Sequence, residues 1–316
     1  MPQPARIAVD LLGGDGAPAV VVDGALLACS VDPDLHVLLV GPREVADEAL
    51  AACPAADRDR IRVRVADAAV GMADAPARAA RHDTTVRAAV AAVAAGEADA
   101  FVSAGASGAT VTAAVLGLGR RVRRPALAAT LPSLAGPVVL LDVGASVESA
   151  PATLVRHAAL GAAYASIVHG ITEPRVGLLS IGTENGKGDG IRRATHRSLS
   201  GLGTLAAGGR YIGNVEGYDV TRGGRADVVV TDGFTGNVLL KGIEGAYALA
   251  GGEMPQDTAP RAAALLGVGG TAVVCHGAAA AADLASGIAL AARLHRINAI
   301  GRIIAAVAAL TPEVIT

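Results

Sequence analysis

The chain encodes an α/β protein, with a mostly parallel β-sheet carrying helices on both faces. Short β-branched or Leu-rich runs recur at residues 7–12, 37–40, 100–103, 138–142, 176–181, 227–232 and 271–276, each ending at or beside Gly, Asp or Ser. Ala-rich segments of helical length lie between them, at 84–95, 154–169 and 236–249. Strands alternating with helices imply right-handed βαβ crossovers, which cover a parallel sheet on both sides. The 52% hydrophobic content is mostly Ala, Val and Leu, with 2% aromatic residues and no Trp, a composition suited to helices packed tightly on a sheet. At 316 residues the chain can bury a large core, and the expectation is a single catalytic α/β unit over 1–316 formed as two lobes around a central cleft.

Taken in order, the runs place their polar residues where they end. The first run leads into Asp10-Leu-Leu-Gly-Gly-Asp15, and the run at 100–103 into Ser103-Ala-Gly-Ala-Ser-Gly108. Next come Asp142-Val-Gly-Ala-Ser146, Gly182-Thr-Glu-Asn-Gly-Lys-Gly188, Gly213-Asn-Val-Glu-Gly217, Asp232-Gly-Phe-Thr-Gly-Asn237 and His276-Gly277. Open α/β sheets bind ligands beyond the carboxyl ends of their strands. Glycines there let backbone N–H groups approach an anion, and a following helix N-terminus adds partial positive charge. The set reads as the floor of a site for a phosphate-like ligand. One glycine turn alone would signify only a turn.

Several function classes are excluded. The formal net charge of −2 and the absence of a long basic run argue against nucleic-acid binding. Cys29, Cys53 and Cys275 form neither a CxxC pair nor an even set, so neither a disulfide framework nor a zinc site is expected, and a reduced, cytoplasmic setting fits. The N-terminus lacks the apolar stretch of a signal peptide. Residues 262–282 carry no Asp, Glu, Lys or Arg, but Gly267, Gly269, Gly270 and Gly277 break the run into a buried strand and a loop rather than a membrane span. The turn at Gly182 lacks P-loop spacing, Ser103-Ala-Gly is not GxSxG, and no GxGxxG follows the first run. No metal or organic cofactor is expected, since no His, Cys or Asp cluster has ligand spacing.

Scarcity singles out the candidates. Of 27 basic residues only Lys187 and Lys241 are lysine. Lys187 sits in a glycine-flanked turn where a compact ammonium can hold phosphate, the alternative being a solvent-facing loop charge. Lys241 follows Asn237 by four residues on one helical face, supporting a site or capping a surface. Three of the four asparagines, Asn185, Asn214 and Asn237, fall inside the glycine motifs; Asn185 suits a turn, and Asn237, at a strand-to-helix junction, suits binding an anion or oxyanion. His276 ends a strongly apolar run and can reach into a site or be satisfied by backbone. Asp15, Asp142, Glu184, Glu216 and Asp232 also stand at strand ends, where carboxylates commonly accept loop N–H groups.

In this order the motifs resemble the PlsX family of acyl-carrier-protein:phosphate acyltransferases, from Ile7 to about Leu294. Ile7-Ala-Val-Asp-Leu-Leu-Gly-Gly-Asp15, Ala98-Asp-Ala-Phe-Val-Ser-Ala-Gly105, Leu140-Leu-Asp-Val-Gly-Ala145, Pro174-Arg-Val-Gly-Leu-Leu-Ser-Ile-Gly182, Tyr211-Ile-Gly-Asn-Val-Glu-Gly217 and the stretch from Ala226 to Lys241 carry it. The resemblance implies a three-layer α/β/α fold of the isocitrate dehydrogenase and phosphotransacetylase group, assembled as a homodimer. It also implies transfer of an acyl group from an acyl carrier protein thioester to inorganic phosphate, for lipid and phospholipid synthesis. Phosphate is then the nucleophile, and Lys187, Asn237 and His276 are the expected catalytic residues. Asp10, Gly13, Gly14, Asp15, Ser103, Gly105, Asp142, Gly144, Glu184, Asn214, Glu216, Asp232, Thr235 and Lys241 are the expected substrate contacts. The chain departs from the family at Ala106-Ser107 and Ser146, where asparagines are usual, and at 278–282, all Ala. The segment 251–260 is a shortened form of a helical element linked to assembly, so peripheral membrane contact should be weakened. Alternatives are a phosphotransacetylase-like enzyme using acyl-coenzyme A and a non-catalytic homologue that binds carrier protein.

Overall fold

The computed structural model describes residues 3–54, 57–71, 74, 84–250 and 261–310. The strands are β1 (Ala5–Asp10), β2 (Leu35–Gly41), β3 (Ile61–Val65), β4 (Ala100–Ser103), β5 (Ala126–Leu131), β6 (Val138–Leu141), β7 (Arg175–Leu179), β8 (Arg210–Val215), β9 (Val228–Val230), β10 (Ala262–Leu266) and β11 (Thr271–Cys275). The helices are α1 (Ala19–Val31), α2 (Arg43–Ala52), α3 (Thr85–Ala94), α4 (Ser107–Leu118), α5 (Pro151–His169), α6 (Gly190–Ser200), α7 (Gly217–Arg222), α8 (Gly233–Leu249), α9 (Ala281–Arg296) and α10 (Ala299–Ala308). They divide into two compact units, Met1–Arg121 with Arg261–Ile300 and Val122–Pro260 with Gly301–Thr316.

In the first unit the strands run in the order β3-β2-β1-β4-β11-β10, parallel except for the antiparallel pair β10 and β11. Helix α1 packs on α9 and α3 on α4, and both α3 and α9 lie against β1. Ile7, Val9, Phe101 and Val102 are wholly buried, which explains why these strands read as continuous apolar runs. In the second unit the order is β5-β6-β9-β7-β8, with only β5 and β6 antiparallel. Helix α5 starts with Pro151 in its first turn and stops at Gly170, whose φ of 72° is the left-handed cap glycine supplies. Leu154, Leu160 and Tyr164 on α5 are fully buried, so its Ala-rich surface serves the core.

All seven expected strands and all three expected helices are present. Four strands escape the sequence reading. β5 and β10 are Ala-Leu-Ala-Ala-Thr-Leu and Ala-Ala-Ala-Leu-Leu, buried throughout and nearly free of β-branched residues, so they carry no strand signature. β3, Ile-Arg-Val-Arg-Val, does alternate apolar and charged residues, a strand period that a search for continuous apolar runs passes over. β8 brings a correction: Gly213 and Asn214 lie inside the strand, not in a loop after it. The register of β7 and β8 shifts between Val176 and Leu178, and Gly213 takes a φ of 97° at this irregularity, which is how a strand absorbs an extra residue. The uncharged 262–282 run becomes β10, β11 and the start of α9, and no helix among the described residues is long and apolar enough to cross a membrane. Residues 251–260, to which the expectation about assembly and membrane contact attaches, lie outside the described residues.

Candidate functional site

In the second unit, the loops after β6, β7 and β9 and the start of α8 carry most of the expected site residues. Asp142, which follows β6, is completely buried. Its Oδ1 accepts the N–H groups of Leu127 (3.1 Å), Gly144 (3.0 Å) and Ala145 (2.8 Å), and its Oδ2 those of Ser146 N–H (3.0 Å) and hydroxyl (2.8 Å). Five donors on one carboxylate make it the organiser of this loop. The start of α8 packs directly on it. A Cβ on Gly236 would overlap the Asp142 carbonyl oxygen, so only glycine allows the approach. Asn237, one residue on, donates its Nδ2 to the Val143 carbonyl at 3.1 Å, beside Gly144.

Asp232 is the N-cap of α8: its Oδ1 accepts Thr235 N–H and its Oδ2 the Thr235 hydroxyl, both at 2.8 Å. Its Oδ2 also pairs with Arg192 of α6. Burial pushes the Asp232 carboxyl up, but the Thr235 donors and the Arg192 guanidinium together outweigh it and hold the group below the usual carboxylate range. Arg192 was not among the expected residues. Its position in an ordinary-looking Arg-Arg pair gave no signal, and only the fold brings α6 to α8.

The turn after β7 presents Lys187 on the surface, with Glu184 also exposed. The stem of Lys187 and the carboxylate of Glu184 flank Gly182, where a Cβ would come within 3.0 Å of Lys187 Cγ and 2.9 Å of Glu184 Oε2. The Lys187 N–H donates to the Glu184 carbonyl at 3.0 Å, which closes the turn. Among the described residues its ammonium forms no ion pair, whereas Arg192 is paired twice. Asn214 is buried in β8 and donates Nδ2 to the Glu184 carbonyl at 3.1 Å, so it supports this turn from below; its Oδ1 has no partner among the described residues. Glu216 starts α7, its N–H donating to Asp219 at 2.9 Å and its carboxylate accepting from Tyr218 at 2.8 Å. Lys241 is exposed on α8.

The first unit gathers the others. Asp10 ends β1, buried, and accepts the Ser103 hydroxyl at 2.8 Å and the Leu12 N–H at 3.3 Å. Ser103 in turn accepts the Gly105 N–H at 3.0 Å. A Cβ on Gly13 would stand 2.8 Å from Gly105 N and 2.9 Å from Asp10 Oδ2, so these two loops interlock through glycine. Burial raises the Asp10 carboxyl, partly offset by hydrogen bonds from Thr85, Ser103 and Leu12. Gly14 takes a φ of 107°, and exposed Asp15 donates its N–H to the Gly277 carbonyl at 2.8 Å. His276 is exposed; its Nδ1 accepts the Ala278 N–H at 3.2 Å, which puts the proton of the neutral ring on Nε2.

All three cysteines are buried free thiols. Burial pushes Cys29 up to about 11 and Cys275 up to about 12, so neither is a ready thiolate.

A profile of the family described as Fatty acid synthesis protein matches residues 5–262. The chain is similar to the phosphate acyltransferase of Bacillus subtilis (strain 168), with 43% identity over 245 residues that cover 76% of this chain and 71% of that protein. It is also similar to the phosphate acyltransferase of Syntrophomonas wolfei subsp. wolfei, with 37% identity over 313 residues, 93% of this chain and 96% of that protein. Its fold is like that of a phosphotransacetylase from Streptococcus pyogenes, with a TM-score of 0.64 and 17% identity over 94% of each chain.

Proposed function

We infer the roles of individual residues from the premise that the chain belongs to the fatty acid synthesis protein family and is a phosphate acyltransferase of fatty acid and phospholipid synthesis. Its donor is an acyl carrier protein thioester, and the products are acyl phosphate and the free carrier thiol. An oxygen of hydrogen phosphate attacks the thioester carbonyl, the C–O bond forms as the C–S bond breaks, and the proton of the phosphate ends on the leaving thiolate. No protein nucleophile is needed. The protein's contribution is alignment, worth up to about 7–11 kcal/mol when ideal, and donors to the developing oxyanion, worth roughly 3–4 kcal/mol each.

The observation that carries the assignment is Lys187: an exposed ammonium on a glycine-flanked turn after a parallel strand, with no ion pair among the described residues. It binds the phosphate. Asn237, whose amide uses one N–H on Val143, offers the other to the oxyanion or phosphate. His276, which carries its proton on Nε2, donates it in a hydrogen bond to the oxyanion or to the leaving sulfur as that sulfur takes up the proton of the attacking phosphate. Asp142, Asp232 and Asn214 hold the loops of the second unit, and Asp10 and Ser103 those of the first.

The test incubates the protein with phosphate and acyl thioesters of carrier protein or coenzyme A, and traps acyl phosphate with hydroxylamine. Phosphate-dependent hydroxamate with a higher kcat/KM for the carrier-protein donor is expected. Preference for coenzyme A would reassign the donor, and carrier binding without product from any donor would mark a non-catalytic homologue. The homodimer implied by the family is checked by light scattering, a monomer counting against it.

A further inference from the structure

Helices α6 and α8 each begin at an aspartate, and one side chain holds both. Asp189, the N-cap of α6, accepts the Arg192 N–H at 2.7 Å and Arg192 Nη1 at 2.8 Å. Asp232, the N-cap of α8, is bonded by Arg192 Nη2, which also lies 3.3 Å from Thr231 Oγ1 and 3.2 Å from Thr235 Oγ1. The Arg192 and Asp232 side chains are 13% and 11% exposed, so this pair is largely shielded from water, while Asp189 is 54% exposed and its bridge is correspondingly weak. A third carboxylate is close: a Cβ on Gly233 would stand 2.8 Å from Asp142 Oδ2. The five groups that donate to Asp142 are all neutral. Among the described residues Arg192 is the one cation bonded to this group of carboxylates. It also touches the lysine turn, since a Cβ on Gly188 would come within 2.7 Å of Arg192 Cβ.

Two N-cap carboxylates occupy the first N–H groups of their helices and present negative charge where the helix starts would otherwise favour an anion. A phosphate bound nearby would be repelled by them. We propose that Arg192 is a positioning residue for phosphate: it neutralises Asp232 and Asp189 and fixes the starts of α8 and α6, without touching the anion. The planar fork of arginine reaches both carboxylates at once, which an ammonium cannot do. This inference rests on the reading that phosphate binds beside Lys187 and Asn237.

The experiment measures kcat, KM for phosphate and KM for the acyl donor in Arg192→Gln, Arg192→Lys, Asp232→Asn and the double variant Arg192→Gln/Asp232→Asn, with thermal melts on each. Asparagine keeps the helix cap while removing the charge. Arg192→Gln should raise KM for phosphate about tenfold, with kcat and donor KM within about twofold of wild type. Arg192→Lys, which keeps the charge but reaches only one of the two carboxylates, should fall between wild type and Arg192→Gln, raising KM for phosphate about threefold. Asp232→Asn should lower KM for phosphate by about threefold, and the double variant should return to within about threefold of wild type. Loss of kcat with KM for phosphate unchanged, or a double variant as impaired as Arg192→Gln, would overturn the proposal. If Arg192→Gln does not fold, Asp232→Asn decides: a lowered KM for phosphate supports the role, and an unchanged or raised one overturns it. Lys187→Ala in the same assay separates the two levels. If it leaves KM for phosphate unchanged, the phosphate assignment itself fails; if it raises KM while the Arg192 series is flat, only the role of Arg192 fails.

Discussion

Asp10 in the first unit and Asp232 in the second stand in equivalent places, each beside the end of a parallel strand, yet their surroundings drive them in opposite directions. Burial raises the Asp10 carboxyl, and the hydroxyl and N–H donors around it recover only part of that cost. Asp232 is also buried, but Thr235 and Arg192 take it below the ordinary range. The Asp10 loop is a neutral-leaning lock of two strand ends; the Asp232 loop is a fixed charge matched by a fixed cation. A strand-end aspartate in a glycine motif therefore does not by itself mark a ligand contact. What surrounds it decides whether the loop is scaffold or electrostatic machinery.

Asp10, raised in the folded state, favours folding in its protonated form and loses that contribution as pH rises through its folded value. Asp232, lowered, contributes stability above the ordinary carboxylate range of about 4, which is lost as pH falls through its folded value.

The largest effect should separate the locks from each other. Asp142→Asn leaves several buried N–H and hydroxyl groups without a full acceptor set and should cost about 3 kcal/mol or more, at roughly 1–3 kcal/mol per stranded group. Asp10→Asn, which removes a disfavoured buried charge and keeps one acceptor, should cost less than about 1 kcal/mol at neutral pH or stabilise. Denaturant unfolding of both variants checks this, and equal losses would erase the distinction.

Acid sensitivity should sharpen the comparison further. His157 on α5 of the second unit is fully buried, with its Nε2 3.2 Å from the Arg124 carbonyl and its Nδ1 unpartnered among the described residues. Burial lowers its pKa, opposed by Asp142 and the Arg124 carbonyl and reinforced by Arg156. The unfolded chain then binds a proton first as pH falls below about 6.5, so stability should fall with acid, by up to about 1.4 kcal/mol per pH unit for one proton. His157→Gln should flatten that slope between its unfolded and folded values. A slope unchanged in the variant would place the acid-sensitive group elsewhere.

The smallest effect concerns the thiols. With Cys29 and Cys275 pushed up to about 11 and about 12, alkylation under native conditions should leave activity within about twofold of untreated protein. Rapid inactivation would point to a reactive cysteine.

The strand ends were legible because parallel strands buried on both faces leave continuous apolar runs and their loops concentrate Gly, Asp and Asn. Lys187 and Asn237 stood out by scarcity, and both lie in strand-end loops of the second unit or the helix that follows. β5 and β10 were not legible, since a wholly buried Ala-Leu segment carries neither period. Asn214 was misread because a bulge puts a glycine inside a strand, where sequence suggests a turn. Arg192 was invisible for a different reason: its partners lie three residues before it and 40 residues after it, and only the second of these separations requires the fold.

The central claim is that phosphate binds at the lysine turn of the second unit and not at the Asp10 and Ser103 lock of the first. The measurement is KM for phosphate in Lys187→Ala and Ser103→Ala, with carrier-protein affinity recorded alongside. Losing one charge-assisted hydrogen bond of roughly 1.5–3 kcal/mol should raise KM for phosphate about ten- to a hundredfold in Lys187→Ala, with carrier affinity unchanged and Ser103→Ala within about threefold of wild type. Wild-type phosphate dependence in Lys187→Ala, together with a raised KM in Ser103→Ala, would contradict the claim and move the phosphate to the first unit.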